Sequence, residues 1–189
     1  MKYFQIAQTF KEKGINLFTT HVFQQITGLN EKSSWAALGR YRKKGLIESP
    51  KRGWYYFSDN PPDDYFLANR LYTPSYISFE TALAYYSIIP EVVYTITSAT
   101  TKTTRKFIHK EKAFKYLKIK TSCFTGYFKK DDYLIADPEK SLVDYLYFVA
   151  LGKKRINERL NLKKLNKKKI KKYAQLFKNK KLNQLIKTL

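Results

Sequence analysis

Three stretches with apolar residues at helical spacing fill most of the first 44 positions of this 189-residue chain. The first stretch predicts a helix within residues 1–13 that ends at Gly14. The second predicts a short helix that Thr19 or Thr20 caps and that ends at Gly28.

The third stretch predicts a helix over residues 31–44, with Asn30 as its N-terminal cap and Gly45 after its end. Apolar and small residues at i, i+3, i+4 and i+7 give this helix one face directed inward. The inward positions are Ser34, Ala37, Leu38 and Tyr41. The residues left for the outer face are Lys32, Ser33, Trp35, Ala36, Arg40 and Lys43.

Two short strand-like runs follow, at residues 46–50 and 54–57, with a basic turn between them. Gly53 provides the positive φ angle that such a turn needs. Three helices followed by a hairpin is the order of a winged helix-turn-helix, in which the third helix enters the major groove of DNA. The pattern therefore predicts that the outer face of the third helix contacts bases, and that Lys51 and Arg52 at the wing tip bind phosphate.

Two other interpretations of the same sixty residues stay open. A basic outer face is also typical of a solvated amphipathic helix beside an ordinary hairpin, and such modules also form dimers. Trp35 either stacks on a sugar-phosphate or packs under the wing, and packing is favoured. We prefer DNA binding because the junction after the third helix, the basic wing tip and the excess of cations agree with it.

A stretch rich in proline and aspartate, residues 59–64, predicts the boundary between two domains, 1–60 and 61–189. In the second domain Ser78 is predicted to cap a helix from residue 79 to about residue 87. A β-hairpin of residues 92–97 with residues 103–108 is predicted next. Further short strands are predicted near residues 116–119, 126–128 and 133–135.

A strong helix signal follows at Asp137, which is predicted to act as the cap, with Pro138 in the first helical position and Gly152 at the end. Its apolar residues predict a core helix. The domain is therefore expected to be mixed α/β to about residue 150. The predicted fold class is α+β: an N-terminal winged helix-turn-helix followed by a mixed α/β domain with a small sheet and basic C-terminal helices.

The last part of the chain, residues 153–189, has apolar residues at helical spacing among many lysines, which predicts two amphipathic helices. The apolar series of the second helix ends at Leu189. The lysines predicted to face solvent and to contact phosphate are Lys163, Lys164, Lys167, Lys168, Lys171 and Lys172. A purely solvated lysine face is the alternative, and a membrane-surface role is weaker because the apolar faces fit a core.

Charge separates the chain into three parts. Residues 1–60 have 10 Lys or Arg and 4 acidic residues, residues 61–150 have 12 and 10, and residues 151–189 have 15 and 1. The net charge of +22 is thus concentrated at the two ends. Because each phosphate that a cation neutralises releases condensed counterions, this distribution predicts binding to nucleic acid.

The presence or absence of segments and residues typical of membrane proteins, secreted proteins and enzymes limits the possible functions. The chain has no apolar run long enough to span a membrane, and its start is not typical of a secretory signal. A single cysteine, Cys123, favours a cytoplasmic protein. Asp63 and Asp64 resemble the start of a restriction-nuclease signature, but no later acid has the required spacing to a lysine. No catalytic residue, metal site or cofactor is therefore predicted.

Four segments of the middle region carry a family resemblance when they are taken together. They are residues 76–83 (YISFETAL), 89–98 (IPEVVYTITS), 104–107 (TRKF) and 135–144 (IADPEKSLVD). They resemble the successive signatures of the AbiEi antitoxins, the transcriptional regulators of AbiE phage-defence toxin–antitoxin systems. Since that family also has an N-terminal winged helix and a Lys-rich C-terminal helical segment, the resemblance covers nearly the whole chain.

The resemblance implies a repressor that binds inverted repeats in its own promoter, with double-stranded DNA as its partner. It also implies a functional partner, a nucleotidyltransferase toxin, that is countered without a stable complex. The alternatives from other classes are an RNA-binding or toxin-binding module without operator specificity, and an unrecognised nuclease.

Overall fold

A computed structural model describes residues 2–188 and has a mixed α+β fold. The chain divides into two compact units between Asp63 and Asp64. The described residues form eight α-helices and two β-sheets. None of these helices is long and apolar enough to cross a lipid bilayer.

The N-terminal unit contains three helices and a three-stranded antiparallel sheet. Its helices are α1 (Tyr3–Glu12), α2 (Thr20–Thr27) and α3 (Glu31–Lys43). Its strands are β1 (Phe18–Thr19), β2 (Ile47–Lys51) and β3 (Trp54–Phe57), in the spatial order β1-β3-β2. The three predicted helices and two predicted strands are confirmed, whereas the pattern does not predict β1. Met1, where the first predicted helix begins, lies outside the described residues.

Four phenylalanines form the centre of this unit. The ring centroid of Phe10 lies 4.5 Å from that of Phe18 and 5.3 Å from that of Phe57, and Phe23 lies 6.1 Å from Phe18. Because these rings come from α1, β1, α2 and β3, each of these elements contributes to the same core. Aromatic pairs of this geometry stabilise a fold by about 0.5–1.5 kcal/mol beyond the burial of their area.

The C-terminal unit contains five helices and a six-stranded mixed sheet. Its helices are α4 (Asp64–Leu71), α5 (Phe79–Tyr85), α6 (Pro138–Ala150), α7 (Lys167–Phe177) and α8 (Lys180–Lys187). Its strands are β4 (Ser75–Ile77), β5 (Ile96–Thr100), β6 (Arg105–His109), β7 (Lys112–Lys118), β8 (Tyr127–Lys130) and β9 (Tyr133–Ala136). The spatial order is β6-β7-β5-β4-β9-β8.

The predicted hairpin of residues 92–97 with residues 103–108 is wrong. Strand β5 starts only at Ile96, and it pairs with β4 on one side and, in parallel, with β7 on the other. All five residues of β5 are buried, as expected for a central strand with a neighbour on each side. The hairpin is formed by β6 and β7 instead, around Lys110, whose φ is 53°.

Helices cover both faces of this sheet. Tyr76, Ala99 and Leu117 lie side by side on β4, β5 and β7, and they belong to one apolar cluster with residues of α6, α7 and α8. On the opposite face the hydroxyl of Tyr116 donates to the Ala68 carbonyl of α4, at 2.5 Å. The sequence pattern predicts neither α4 nor β4.

The two helix-start signals of this unit have different outcomes. Asp137 caps α6 as predicted, because its Oδ1 accepts from the backbone N–H of Lys140 at 2.8 Å. Ser78 occupies the corresponding position of α5, but its side chain makes no capping hydrogen bond. Its hydroxyl donates to Asp144 at 2.8 Å instead. Helix α5 ends at Tyr85, shortly before the predicted end.

A buried ion pair ties α6 to β4. Lys140 and Asp144 lie one helical turn apart, both are completely buried, and their side chains are in contact. Tyr76 and Ser78 donate their hydroxyls to Asp144 Oδ2 at 2.9 and 2.8 Å, and Lys140 Nζ donates to the Tyr76 hydroxyl at 2.9 Å. Burial raises the pKa of Asp144, and the charge of Lys140 and the two hydroxyls oppose that effect.

We expect Asp144→Ala to lower the free energy of unfolding by about 3–5 kcal/mol, because it leaves the Lys140 ammonium buried without a counter-charge. The double variant Lys140→Met plus Asp144→Leu removes both charges, so it should lose clearly less than the single variant. Urea unfolding followed by circular dichroism measures both. Equal losses for the single and the double variant would show that packing, and not the charge pair, dominates here.

Candidate nucleic-acid interface

Helix α3 is fixed by its cap and by its inward face. Asn30 Oδ1 accepts from the backbone N–H of Ser33 at 2.9 Å, as the sequence predicts. Ser34, Ala37 and Leu38 are buried, so the predicted inward face is confirmed at these positions. With 13 residues α3 is about 20 Å long at 1.5 Å per residue.

The opposite face of α3 is open to solvent along its whole length. All six residues predicted to face outward are exposed: Lys32, Ser33, Trp35, Ala36, Arg40 and Lys43. Trp35, for which packing under the predicted wing is favoured, is 47 % exposed. Its indole N–H lies 3.4 Å from Glu31 Oε1, one turn earlier on the same helix.

Gly39 lies at the centre of this outer face, at a position where the apolar pattern predicts no binding residue. It is exposed, and a Cβ built there meets no atom within 4 Å. Glycine in a helix interior costs about 1 kcal/mol relative to alanine. Since no contact within the described chain needs the missing side chain, the fold gives no reason for glycine at this position. The sequence signal was present: a glycine inside an otherwise regular helical pattern.

Positive charge collects at the C-terminal end of α3. Arg40, Arg42 and Lys43 lie in the last turn, where cations also favour the helix dipole. Within residues 2–188 neither Arg40 nor Lys43 has an acidic partner. Their charges are therefore balanced only by solvent ions. The single acid of the helix, Glu31, lies at the other end.

The turn between β2 and β3 carries the two residues predicted for the wing tip. Lys51 pairs with Trp54 across the turn, and Gly53 has a φ of 78°. Lys51 and Arg52 are both exposed. The hydroxyl of Ser49 donates to the Lys51 carbonyl at 3.2 Å, which braces the strand just before the turn.

The basic tail of the C-terminal unit forms the two helices that the pattern predicts, α7 and α8. Lys167, Lys168, Lys171 and Lys172 lie on the exposed side of α7. Lys163 and Lys164 are also exposed, but they lie in the turn before α7 and not on the helix. Leu189, predicted as the last apolar position of the second helix, lies outside the described residues.

One lysine of α7 is paired with acids of the same unit. Lys169 Nζ lies 3.0 Å from Oδ2 of Asp137, the N-terminal cap of α6, and 3.2 Å from Oε2 of Glu139 in the first turn of that helix. Burial raises the pKa of Glu139, but the hydrogen bond from the Asn166 amide and the charge of Lys169 outweigh it, so the pKa lies below its ordinary value. Lys169 therefore differs from the other lysines of α7, because two carboxylates of the same unit already neutralise its charge.

Tyr173 fixes α7 from the same side. Its hydroxyl donates to Asp137 Oδ2 at 2.5 Å, and its ring covers Gly126 so closely that a Cβ there would lie 2.7 Å from the ring. Gly126 also has a φ of 74°, which only glycine adopts readily. Burial and the nearby carboxylate of Asp137 raise the pKa of Tyr173.

Two further ion pairs hold the segment that leads from α6 to α7. Lys154 contacts Glu80 of α5, and Arg159 Nη2 lies 2.5 Å from Glu91 Oε1. In each pair the cation comes from the basic tail and the acid from the preceding part of the unit. The tail is thus attached by charge as well as by its apolar faces, and its remaining lysines face outward.

A third basic surface lies on β6 and β7, where the sequence pattern predicts no binding residues. Residues 102–120 contain eight Lys or Arg and a single acid, Glu111. Lys106 lies directly opposite Lys115 in the β6–β7 register, and both are exposed. Like charges at such positions repel each other. The net charge summed over residues 61–150 is nearly neutral and does not indicate this cluster. The net charge summed over a shorter window of the sequence does indicate it.

The residues considered for enzyme chemistry are not brought together. Asp64 begins α4 and its carboxylate contacts Lys112. Cys123 is buried, burial raises the pKa of its thiol, and it donates to the Leu176 carbonyl at 3.3 Å. No group of three or more His, Cys, Asp or Glu within residues 2–188 is placed to hold a metal ion. What the exposed cations on α3, α7 and β6–β7 can do chemically is neutralise phosphate or carboxylate groups.

No protein-family model and no curated protein matches the chain.

Proposed function

We propose that the chain is a sequence-specific DNA-binding repressor whose N-terminal unit is a winged helix-turn-helix. The order α1-β1-α2-α3-β2-β3 with the sheet order β1-β3-β2 supports this assignment. In this proposal α3 is the recognition helix, and the β2–β3 turn with Lys51 and Arg52 is the wing.

The observation that carries the proposal is the outer face of α3. It combines exposed cations that have no acidic partner within residues 2–188, short side chains at Ser33 and Ala36, and a glycine at its centre. Short residues let a helix approach base edges closely, and Arg or Lys near the ends of the helix reach guanine or phosphate. A helix that only faces solvent gains nothing from glycine at position 39.

The proposal extends to the biological class that the AbiEi resemblance implies. The chain acts as the antitoxin of an AbiE-like operon and represses that operon through inverted repeats in its promoter. Its functional partner is a nucleotidyltransferase toxin, which it counters without a stable complex. An adjacent open reading frame that encodes a nucleotidyltransferase would support this part, and a different neighbour would leave only the DNA-binding part.

The lysines of the C-terminal unit add affinity without specificity. Exposed Lys163, Lys164, Lys167, Lys168, Lys171 and Lys172 contact backbone phosphates in this proposal. Such contacts hold the protein on DNA but carry no sequence information. They make binding strongly dependent on salt, because each one releases condensed counterions.

The triple variant Lys32→Ala, Ser33→Ala, Arg40→Ala tests the recognition helix. We expect it to lose the preference for the fragment upstream of its own gene over a scrambled fragment, because a good contact to a base edge is worth about 1–3 kcal/mol of discrimination. Fluorescence anisotropy at constant salt measures both affinities. The control is Lys11→Ala plus Lys13→Ala, which removes the same charge from exposed positions at the end of α1. If the control loses as much discrimination as the triple variant, α3 is not the reader.

The substitution Gly39→Ala separates folding from binding. We expect it to raise the free energy of unfolding by up to about 1 kcal/mol, because alanine is the better helix former and nothing nearby obstructs it. The same methyl group should weaken specific DNA binding, because it lies where the helix meets the bases. Thermal unfolding and anisotropy measure the two effects. A more stable protein with unchanged affinity would show that α3 does not approach DNA at this point.

Two lysines on the outer side of α7 test the phosphate contacts. We expect Lys168→Ala plus Lys172→Ala to weaken binding equally for specific and random duplexes and to lower the slope of log K against log salt by about 2, one unit per lost phosphate contact. The matched control is Lys169→Ala on the same helix. Because Lys169 is paired with Asp137 and Glu139, its loss should lower thermal stability but leave the slope unchanged. An unchanged slope in the double variant would remove α7 from the interface.

A further inference from the structure

One window of the chain lacks positive charge entirely. Residues 71–101 contain no lysine or arginine, although the whole chain has 37 of them among 189 residues. The only charged residues in the window are Glu80 and Glu91, and their carboxylates pair with Lys154 and Arg159. The surface formed by this window is therefore close to neutral in a protein with a net charge of +22.

The same window exposes the most accessible large apolar side chains of the C-terminal unit. Val92 is 76 % exposed and Tyr94 is 86 % exposed. The other strongly exposed apolar residues of this unit lie among cations: Ile108 is two residues from Lys106, and Phe128 is next to Lys129. Val92 and Tyr94 are thus apolar side chains that are exposed to solvent on a surface without net positive charge.

The backbone groups of residues 92–94 also have no hydrogen-bond partner within residues 2–188. Exposure alternates along residues 92–95, with Val93 packed against the core, which is the pattern of an extended strand. Within residues 2–188, Val92, Val93 and Tyr94 make no backbone hydrogen bond, and β5 begins only at Ile96. β-Branched and aromatic residues with free backbone groups favour the addition of another strand.

A groove lies beside the segment. It has a volume of about 630 Å³, it is open to solvent, and Val92 and Val93 form part of its wall. Tyr85, Ile88 and Pro90 also line it, and the paired side chains of Glu91 and Arg159 form its charged part. The groove is larger than the side chain of a tyrosine, and its own chain leaves Tyr94 outside it.

We propose that two copies of this chain associate through this surface, with residues 92–94 of one copy antiparallel to the same residues of the other and each Tyr94 inserted into the groove of the opposite copy. The inference rests on the proposed function in one respect: an inverted repeat needs two copies related by a two-fold axis. A two-fold contact uses the same patch twice, so a self-complementary arrangement of strand, ring and groove fits it.

Electrostatics limits a contact between two copies to this face. Two molecules with a net charge of +22 repel each other, and the repulsion is strongest where lysines from both would meet. The surfaces of α3, α7 and β6–β7 are therefore excluded from a self-contact. The neutral window is where two copies can approach and bury apolar area without opposing like charges.

Sedimentation equilibrium of the full chain tests the proposal without DNA. The wild-type protein should show concentration-dependent dimer formation. Val92→Asp and Tyr94→Asp should each weaken the dimer by at least about tenfold, because the contact would then bury a carboxylate. The matched control is Ile108→Asp, which places the same charge at another exposed apolar residue of this unit and should leave the dimer unchanged. Circular dichroism of each variant reports whether it is folded.

Salt separates this inference from the proposed function. Raising sodium chloride from about 0.1 M to about 0.5 M screens the repulsion between copies and should strengthen the dimer, whereas it should weaken DNA binding. A wild-type protein that stays monomeric at all concentrations and salts, or a dimer that the Ile108 variant disrupts as much as the Val92 variant, would overturn the inference even if the operator is bound. A dimer with the expected variant response but no sequence preference for DNA would leave the inference standing and overturn the proposed function.

Discussion

A shortage of carboxylates constrains the whole structure. The chain has 15 acidic residues for 37 Lys and Arg, and in the C-terminal unit the acids hold the fold together. Asp144 neutralises the buried Lys140. Asp137 and Glu139 form ion pairs with Lys169, and Glu80 forms one with Lys154. The cations that remain have few acids available to them, so they lie at the surface and attract anions. On α7, Lys169 attaches the helix to the acids of α6, whereas Lys167, Lys168, Lys171 and Lys172 remain exposed.

This division of charge gives each surface a different chemical character. The outer face of α3 is short and open at its centre and cationic at its end, which suits an approach to base edges. The outer face of α7 is uniformly cationic, which suits phosphate. The window of residues 71–101 has no Lys or Arg and exposes Val92 and Tyr94, which suits contact with another molecule of equal charge.

Local signals in the sequence predict much of the fold. Asn30 and Asp137 cap helices as expected, because a cap depends only on residues within one turn. The partner of β5 is not predictable in this way, because β7 enters between β5 and β6 through a pairing that no local pattern encodes. Ser78 illustrates the same limit. It occupies the N-cap position that the local pattern predicts, but its hydroxyl donates to Asp144, 66 positions later in the chain, and not to the helix backbone.

In the candidate site, too, local sequence predicts some features, whereas others depend on residues that are distant in the chain. The exposure of Lys32 and Arg40 follows from helical periodicity alone. The pairing of Lys169 with Asp137 and Glu139 depends on acids that are distant in the sequence, so the local pattern of lysines does not predict it. Trp35 is exposed although its type favours burial, because the inward positions of α3 are already filled by Ser34, Ala37 and Leu38.

Selection of binding sites from a pool of random duplexes tests the central claim most directly, because it requires no knowledge of the operator. Purified protein is incubated with the pool at physiological salt, and the bound duplexes are amplified and sequenced over several rounds. The account predicts enrichment of one short motif, present as an inverted repeat, and loss of that enrichment when α3 carries the triple alanine substitution. A bound pool with the same sequence composition as the input, at every salt concentration, would contradict it.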